Sequence, residues 1–155
     1  MTTPTITLAD FLLQRIADDE AVAREAQALA RSPWRATYGR QVEEPEPGHL
    51  VTPEDEYAHS DEPPDAIALH IARHDPARVL ADCAARRAIV ELHEDARQAK
   101  DVYNRGYEAG DLSTPNDLRF RLDANVRWAA LDGVLRQLAS AYVDHPDFDT
   151  WADSY

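Results

Sequence analysis

The spacing of apolar residues along the chain predicts three long amphipathic helices and one short helix. The last helix has the clearest pattern, because apolar residues recur at intervals of three and four over residues 120–142. The first helix, opened by Thr7 as its capping residue, carries a similar stripe over residues 8–30. Arg15 and Asp19 interrupt this stripe, so we expect looser packing in the middle of that helix. The whole pattern is typical of a mainly α fold arranged as a small bundle.

Prolines placed directly after capping residues predict where two of the helices begin. Asp75 precedes Pro76, and Thr114 precedes Pro115. In each pair the first side chain can accept a hydrogen bond from the first turn, where the proline needs no donor of its own. Because a residue before proline avoids the α-helical conformation, the short helix upstream should end near His74.

The helix that begins at Pro76 is predicted to be the central one. Its apolar residues fall on two faces, so it should pack against partners on both sides. Gly106 and Gly110 mark where it frays and ends. The short connection to the last helix predicts that the two are antiparallel neighbours. After the last helix, Phe148 and Trp151 can fold back as a hydrophobic cap.

Residues 33–64 form a long, acidic and proline-rich excursion with six prolines. Residues 34–38 alternate like a strand, and we predict that they pair with residues 49–52 in a small β-hairpin. Residues 41–65 contain nine acidic residues and no Lys or Arg, which accounts for most of the net charge of −13. A broad basic face for nucleic acid is absent, so direct nucleic-acid binding is not expected.

Length and composition favour a soluble protein of one domain, residues 1–155. The one cysteine, Cys83, excludes an internal disulfide and fits a reducing compartment. It lies on an apolar helix face, which favours a buried structural thiol over a nucleophile. No apolar run approaches the roughly 20 residues that span a bilayer, and the first residues lack a signal-peptide pattern. We therefore expect a cytoplasmic location and no membrane contact.

A histidine–carboxylate cluster is the first candidate site. His70 and His74 are four residues apart, which places both on one helix face at a spacing that suits two metal ligands. If the last two helices are antiparallel, His145 approaches His74 and Asp75, and the four residues could hold a divalent metal. The alternative interpretation is structural, with Asp75 as a helix cap, His74 near a helix C-terminus and His145 in a turn. In that interpretation no cofactor is bound.

A carboxylate pattern is the second candidate. Glu91 and Glu94, followed by Glu108 and Asp111, match the spacing of the Mg²⁺-binding motif of all-α nucleotide pyrophosphohydrolases. The two pairs converge only if the chain turns near Lys100, because on one helix Glu94 and Glu108 would lie about 20 Å apart. A solvated helix face is the alternative interpretation.

The acidic excursion is the third candidate, as a surface for a protein partner. Its aromatic residues and nearest acids are Trp34, Tyr38, Glu43, Glu44, Glu54, Asp55, Glu56 and Tyr57. A flexible acidic segment can dock on a basic partner and become ordered on binding. The leading hypothesis is therefore a non-enzymatic interaction or adaptor protein, and the competing class is a metal-dependent or nucleotide-processing enzyme.

Three stretches resemble a known family when they are taken together. They are HIARHDPARVL (residues 70–80), RAIVELH (residues 87–93) and LRQLASAYVDHPDF (residues 135–148). In this order, behind an N-terminal helix and a tryptophan, they resemble a family of small actinobacterial and actinophage proteins catalogued as a domain of unknown function. The resemblance implies a small cytoplasmic protein of a host or a phage, and it implies no activity, cofactor or catalytic residue.

Overall fold

The computed structural model describes residues 6–29, 32–37, 41–43, 66–148 and 151. The elements of this part of the chain are α1 (Leu8–Leu29), β1 (Arg35–Thr37), β2 (Gln41–Glu43), α2 (Ala66–Arg73), α3 (Pro76–Glu108), α4 (Pro115–Ala139) and a 3₁₀ turn (Ser140–Tyr142). The prediction of a mainly α fold with three long helices and one short helix is confirmed.

The chain divides into two compact units. The first unit contains Met1–Ile16 and Ala85–Tyr155, and the second contains Ala17–Ala84. Helices α1 and α3 each run from one unit into the other. The single domain over residues 1–155 therefore stays a prediction.

In the first unit, α3 and α4 are antiparallel, as their short connection predicted. In the contacts between them, higher residue numbers on α3 are paired with lower residue numbers on α4 and the turn after it. The pairs are Arg86 with Tyr142, His93 with Asp132, Lys100 with Trp128, and Tyr103 with Phe120. The same register places His93, near the middle of α3, directly beside α4.

The connection between α3 and α4 depends on two glycines and a capping box. Gly110 has a φ of 79°, a left-handed conformation that favours glycine and ends α3. A Cβ at Gly106 would lie 2.8 Å from Cδ1 of Leu112, whose side chain folds back onto the helix. Thr114 then caps α4, and its hydroxyl accepts a hydrogen bond from the Asp117 backbone N–H at 3.2 Å. The helix boundaries predicted from glycine and Thr-Pro are confirmed.

Phe11 of α1 is the centre of an aromatic cluster in the first unit. Its side chain is fully buried, and its ring centroid lies 6.0–6.3 Å from those of four other rings: Tyr142, His145, Phe148 and Trp151. Most of these pairs are edge to face, the geometry that aromatic quadrupoles favour. The predicted folding back of Phe148 and Trp151 as a hydrophobic cap is confirmed.

Arg15 corrects the expectation of loose packing in the middle of α1. It is only 9% exposed, its guanidinium carbon lies 5.6 Å from the Phe11 ring centroid, and Nη1 donates to the His145 ring. Nη1 also lies 3.8 Å from Asp147 Oδ2. The expectation was wrong at this residue because a guanidinium that is paired and stacked on an aromatic ring packs as part of a core.

The second unit contains a small antiparallel hairpin packed against α2. Ala36 of β1 lies opposite Val42 of β2, and α2 contacts both strands. The predicted partner of β1 was wrong, because β1 pairs with Gln41–Glu43; residues 49–52 lie outside the described part of the chain. The observed pairing closes a shorter connection, which costs less chain entropy than the predicted one.

Asp75 begins α3, as the Asp-Pro pair predicted. Its Oδ1 accepts a hydrogen bond from the Arg78 backbone N–H at 2.8 Å. Its Oδ2 accepts one from the Trp34 backbone N–H at 3.3 Å, so the same carboxylate caps the helix and holds the segment before β1. The carboxylate is buried and both of its oxygens have structural partners.

Candidate ligand-binding groove

An open groove of about 850 Å³ lies within the first unit. The first turns of α1 and the middle of α3 form its walls, and Trp128 of α4 completes the lining. We call it the His93 groove, after the most deeply buried polar side chain among its lining residues. A volume of this size accommodates a small organic molecule.

His93 is buried at the wall of this groove beside an acidic residue. Its Nε2 lies 3.6 Å from Oδ1 of Asp132, which is also buried. Burial lowers the pKa of His93 below its ordinary value, while the Asp132 carboxylate acts in the opposite direction. Burial therefore favours the neutral form of the imidazole. Asp132 favours the tautomer with the proton on Nε2, which leaves Nδ1 as a hydrogen-bond acceptor.

Several buried polar atoms of His93, Trp128 and the neighbouring Asp132 have no hydrogen-bond partner among the described residues. They are both ring nitrogens of His93, Nε1 of Trp128 and Oδ1 of Asp132. Buried polar atoms in folded proteins are usually paired, and each unpaired one costs about 1–3 kcal/mol. His93 and Trp128 are both lining residues of the groove.

Lys100 places its ammonium group on the aromatic face of Trp128. Nζ lies 3.6 Å from the ring centroid, within the range of a cation–π interaction. The same ammonium is 4.0 Å from Oδ1 of Asp101. Lys100 is the only lysine of the chain, and it is part of the groove wall.

Acidic side chains outnumber basic ones around the groove. The acids are Asp10, Glu91, Glu94, Asp95 and Asp101, and the bases are Arg87, Arg97 and Lys100. Arg97 is held by two of these acids, at 2.6 Å from Glu94 Oε1 and 2.9 Å from Asp101 Oδ2. Hydrogen bonds from Arg97 and Gln98 lower the pKa of Glu94 to about 2. The groove is therefore acidic in net charge at neutral pH.

The wall of the groove combines a histidine next to a carboxylate with aromatic and charged side chains. A histidine next to a carboxylate can act as a general base towards a nucleophile that is hydrogen-bonded to it. Neither ring nitrogen of His93 has such a partner among the described residues. The wall of the groove contains the ring nitrogens of His93, the indole N–H and aromatic face of Trp128, and more carboxylates than basic groups.

The predicted metal ligands have other contacts. The rings of His70 and His74 are tilted against each other with centroids 4.3 Å apart, and Nδ1 of His74 lies 2.9 Å from the His70 carbonyl oxygen. Asp75 caps α3, and His145 contacts Arg15. Within the ranges that the structure describes, no three His, Cys, Asp or Glu residues form a group that could hold a metal ion. Metal binding by these four residues stays a prediction.

The two predicted carboxylate pairs lie on one unbroken helix or just beyond it. Helix α3 runs from Pro76 to Glu108 without the turn near Lys100 that the pyrophosphohydrolase pattern requires. At 1.5 Å per residue, Glu94 and Glu108 are about 20 Å apart along the helix axis. The condition for bringing the pairs together is therefore not met within one chain. Cys83, the other candidate on α3, is buried, as predicted for a structural thiol.

Most of the predicted partner-binding residues lie outside the described part of the chain. They are Tyr38, Glu44, Glu54, Asp55, Glu56 and Tyr57. Glu43 is the last residue of β2, and Trp34 is half-buried with its backbone N–H bonded to Asp75.

The pair of His93 and Asp132 is not among the sites predicted above, although the sequence contains a signal for it. His93 lies three residues from Val90 and three from Ala96, both of which are buried on α3. Asp132 holds the equivalent inward position on α4, three residues before the buried Leu135. A histidine and a carboxylate on the facing stripes of two antiparallel helices are candidates for a buried pair.

Comparison with known proteins assigns a family but no activity. The family model described as "Family of unknown function (DUF6221)" matches residues 5–153, nearly the whole chain. No curated protein and no solved structure matches the chain. Across the described residues, no helix is both long and apolar enough to pass through a membrane.

Proposed function

We propose that this chain, which belongs to the family of unknown function (DUF6221), is a non-enzymatic binding protein whose ligand occupies the His93 groove. One observation carries the proposal. His93 is 5% exposed, it lines an open groove, and neither of its ring nitrogens is hydrogen-bonded to a described residue. A bound molecule relieves the cost of leaving such groups unpaired, which favours binding at this place over other parts of the surface.

A thermal-shift screen with small organic molecules of positive, neutral and negative charge tests this proposal. A ligand at one hundred times its Kd stabilises the native state by about 2.7 kcal/mol, which should raise Tm by about 5–10 °C for a chain of this length. Replacing His93 by leucine should abolish the shift, because leucine fills a similar volume without a hydrogen-bonding atom.

The matched control replaces an exposed histidine in the same way. His74→Leu changes a side chain that does not line the groove, so its response to the ligand should equal that of the natural protein. Equal Tm shifts in His93→Leu and in the natural protein would place the binding site elsewhere. A screen without any hit would refute the proposal.

A second candidate function is recognition of a protein partner through the acidic segment. It is favoured by nine acidic residues and no Lys or Arg in residues 41–65. Such a segment suits a basic partner, and electrostatic attraction speeds the encounter. The actinobacterial or phage origin that the sequence motifs suggest makes an actinobacterial lysate the place to look for this partner.

Deleting residues 44–61 tests the second function and leaves β2 complete. We expect affinity capture from an actinobacterial lysate to retain a partner with the full chain and lose it with the deletion. The triple variant Glu54→Gln, Asp55→Asn and Glu56→Gln keeps the length and removes three charges, so it should weaken capture and reduce its salt dependence. Capture that survives both changes would exclude the segment as the contact surface.

A further inference from the structure

We propose that the ligand of the His93 groove is an organic amine that binds as its ammonium ion, and that the Lys100 side chain holds the ammonium position until the ligand displaces it. This inference rests on the proposed binding function and adds the chemical class of the ligand. Three properties of the groove carry it: its aromatic face, its unpaired acceptor and its charge.

The aromatic face of Trp128 already accepts an ammonium group. Lys100 Nζ lies 3.6 Å from the ring centroid, where the negative face of the indole attracts a cation. The Lys100 side chain is 20% exposed, and its distance of 4.0 Å from Asp101 is at the limit of an ion pair. A long, flexible side chain held by one weak ion pair and one ring is displaceable, because its ammonium can move into solvent at small cost.

The unpaired acceptor at this place is the imidazole of His93. Its Nε2 faces Oδ1 of Asp132 at 3.6 Å, and its Nδ1 has no hydrogen-bond donor among the described residues. The centroids of the His93 and Trp128 rings are 6.4 Å apart, so one small molecule can contact both. An ammonium group has N–H donors and no acceptor, which complements an acceptor nitrogen next to an aromatic face.

The charge of the groove favours a cation over an anion. Arg97 is neutralised by its bonds to Glu94 and Asp101. Glu91 and Asp95 are exposed, four residues apart on the same face of α3, and they add negative potential along the wall. Carboxylates spaced in this way attract cations and repel phosphates and carboxylates.

Three isosteric probes separate the classes: n-butylammonium, n-butanol and butyrate, measured by titration calorimetry on the full chain. We expect butylammonium to bind and the other two not to bind. The variant Lys100→Met keeps an unbranched apolar stem and removes the competing charge, so it should bind butylammonium more tightly, by roughly fivefold on the scale of a cation–π contact. Lys100→Arg keeps a cation on the ring and should show no such gain.

Proton NMR gives a second readout that does not depend on affinity. Because the chain has one lysine, the ε-methylene protons of Lys100 are a single identifiable signal, shielded by the Trp128 ring. Saturating butylammonium should move this signal to the shift of a lysine in solvent. An unchanged signal at saturation, or weaker butylammonium binding by Lys100→Met, would overturn displacement.

The two proposals fail in different ways. If butyrate or butanol binds and butylammonium does not, the groove is a ligand site and the amine class is wrong. The same holds if none of the three probes binds while other molecules raise Tm in a His93-dependent manner. If no molecule does so, the binding function itself is wrong and the amine proposal fails with it.

Discussion

Replacing Phe11 by alanine should lower the free energy of unfolding by about 3–5 kcal/mol, the usual cost of truncating a buried aromatic side chain. Phe11 is fully buried and its ring meets four others at centroid distances of 6.0–6.3 Å. Truncation removes these contacts together and leaves a cavity in the core. Urea unfolding followed by circular dichroism measures the loss directly.

Two further variants show how much of the stability lost in Phe11→Ala comes from the ring contacts of Phe11. Phe11→Leu keeps most of the apolar volume and removes the ring contacts, so it should cost less than Phe11→Ala. Val126→Ala is the matched surface control, because Val126 is 62% exposed on α4 and its truncation should stay within about 0.5 kcal/mol. A loss of less than about 1 kcal/mol for Phe11→Ala would contradict the central position of this ring in the core.

The helix boundaries could be predicted because capping is local chemistry. Asp75 and Thr114 bond to backbone groups three residues away, and the proline after each restricts the backbone whatever lies elsewhere. The antiparallel arrangement of α3 and α4 follows from a connection too short for any other path. These features need no knowledge of distant residues.

Features that depend on distant partners were harder to predict. Arg15 looked like an interruption of an apolar stripe, because nothing near it in sequence shows that His145 and Asp147 will meet it. The partner of β1 was misplaced because several short segments could pair with three residues, and chain entropy selects the nearest. To predict the groove, one would need to know that the start of α1 lies beside the middle of α3. The spacing of residues within either helix does not specify this.

A second expected result is a loss of stability as the pH falls below about 6.5. His93 has a lowered pKa in the folded chain and an ordinary one, near 6.5, in the unfolded chain. Below pH 6.5 the unfolded chain therefore binds a proton that the folded chain resists, so acidification favours unfolding. The free energy of unfolding begins to fall near pH 6.5, and the loss is complete below the pKa of His93 in the folded chain. Each unit of difference between the unfolded and folded pKa values contributes about 1.4 kcal/mol to this loss.

The variant His93→Gln isolates this contribution, because glutamine keeps hydrogen-bonding atoms and does not titrate. Free energies of unfolding from urea titrations between pH 5 and pH 8 should fall less steeply on acidification in His93→Gln than in the natural chain. The other five histidines are common to both proteins, so they cancel in the difference.

The groups around His93 determine the sign of this effect. Asp132 faces it from α4 at 3.6 Å and Glu94 adjoins it on α3, and both raise its pKa; burial lowers it, with a smaller contribution from Arg97. Replacing Asp132 by asparagine removes the main charge that opposes the effect of burial, so the pKa of His93 should fall further. The loss of stability on acidification should then grow.

A steeper fall of the free energy of unfolding with pH in Asp132→Asn, together with a shallower one in His93→Gln, would identify burial as the cause. Equal slopes in all three proteins would show that His93 titrates as it does in water, and an imidazole hydrated in this way would not be the unpaired acceptor on which binding in the groove depends.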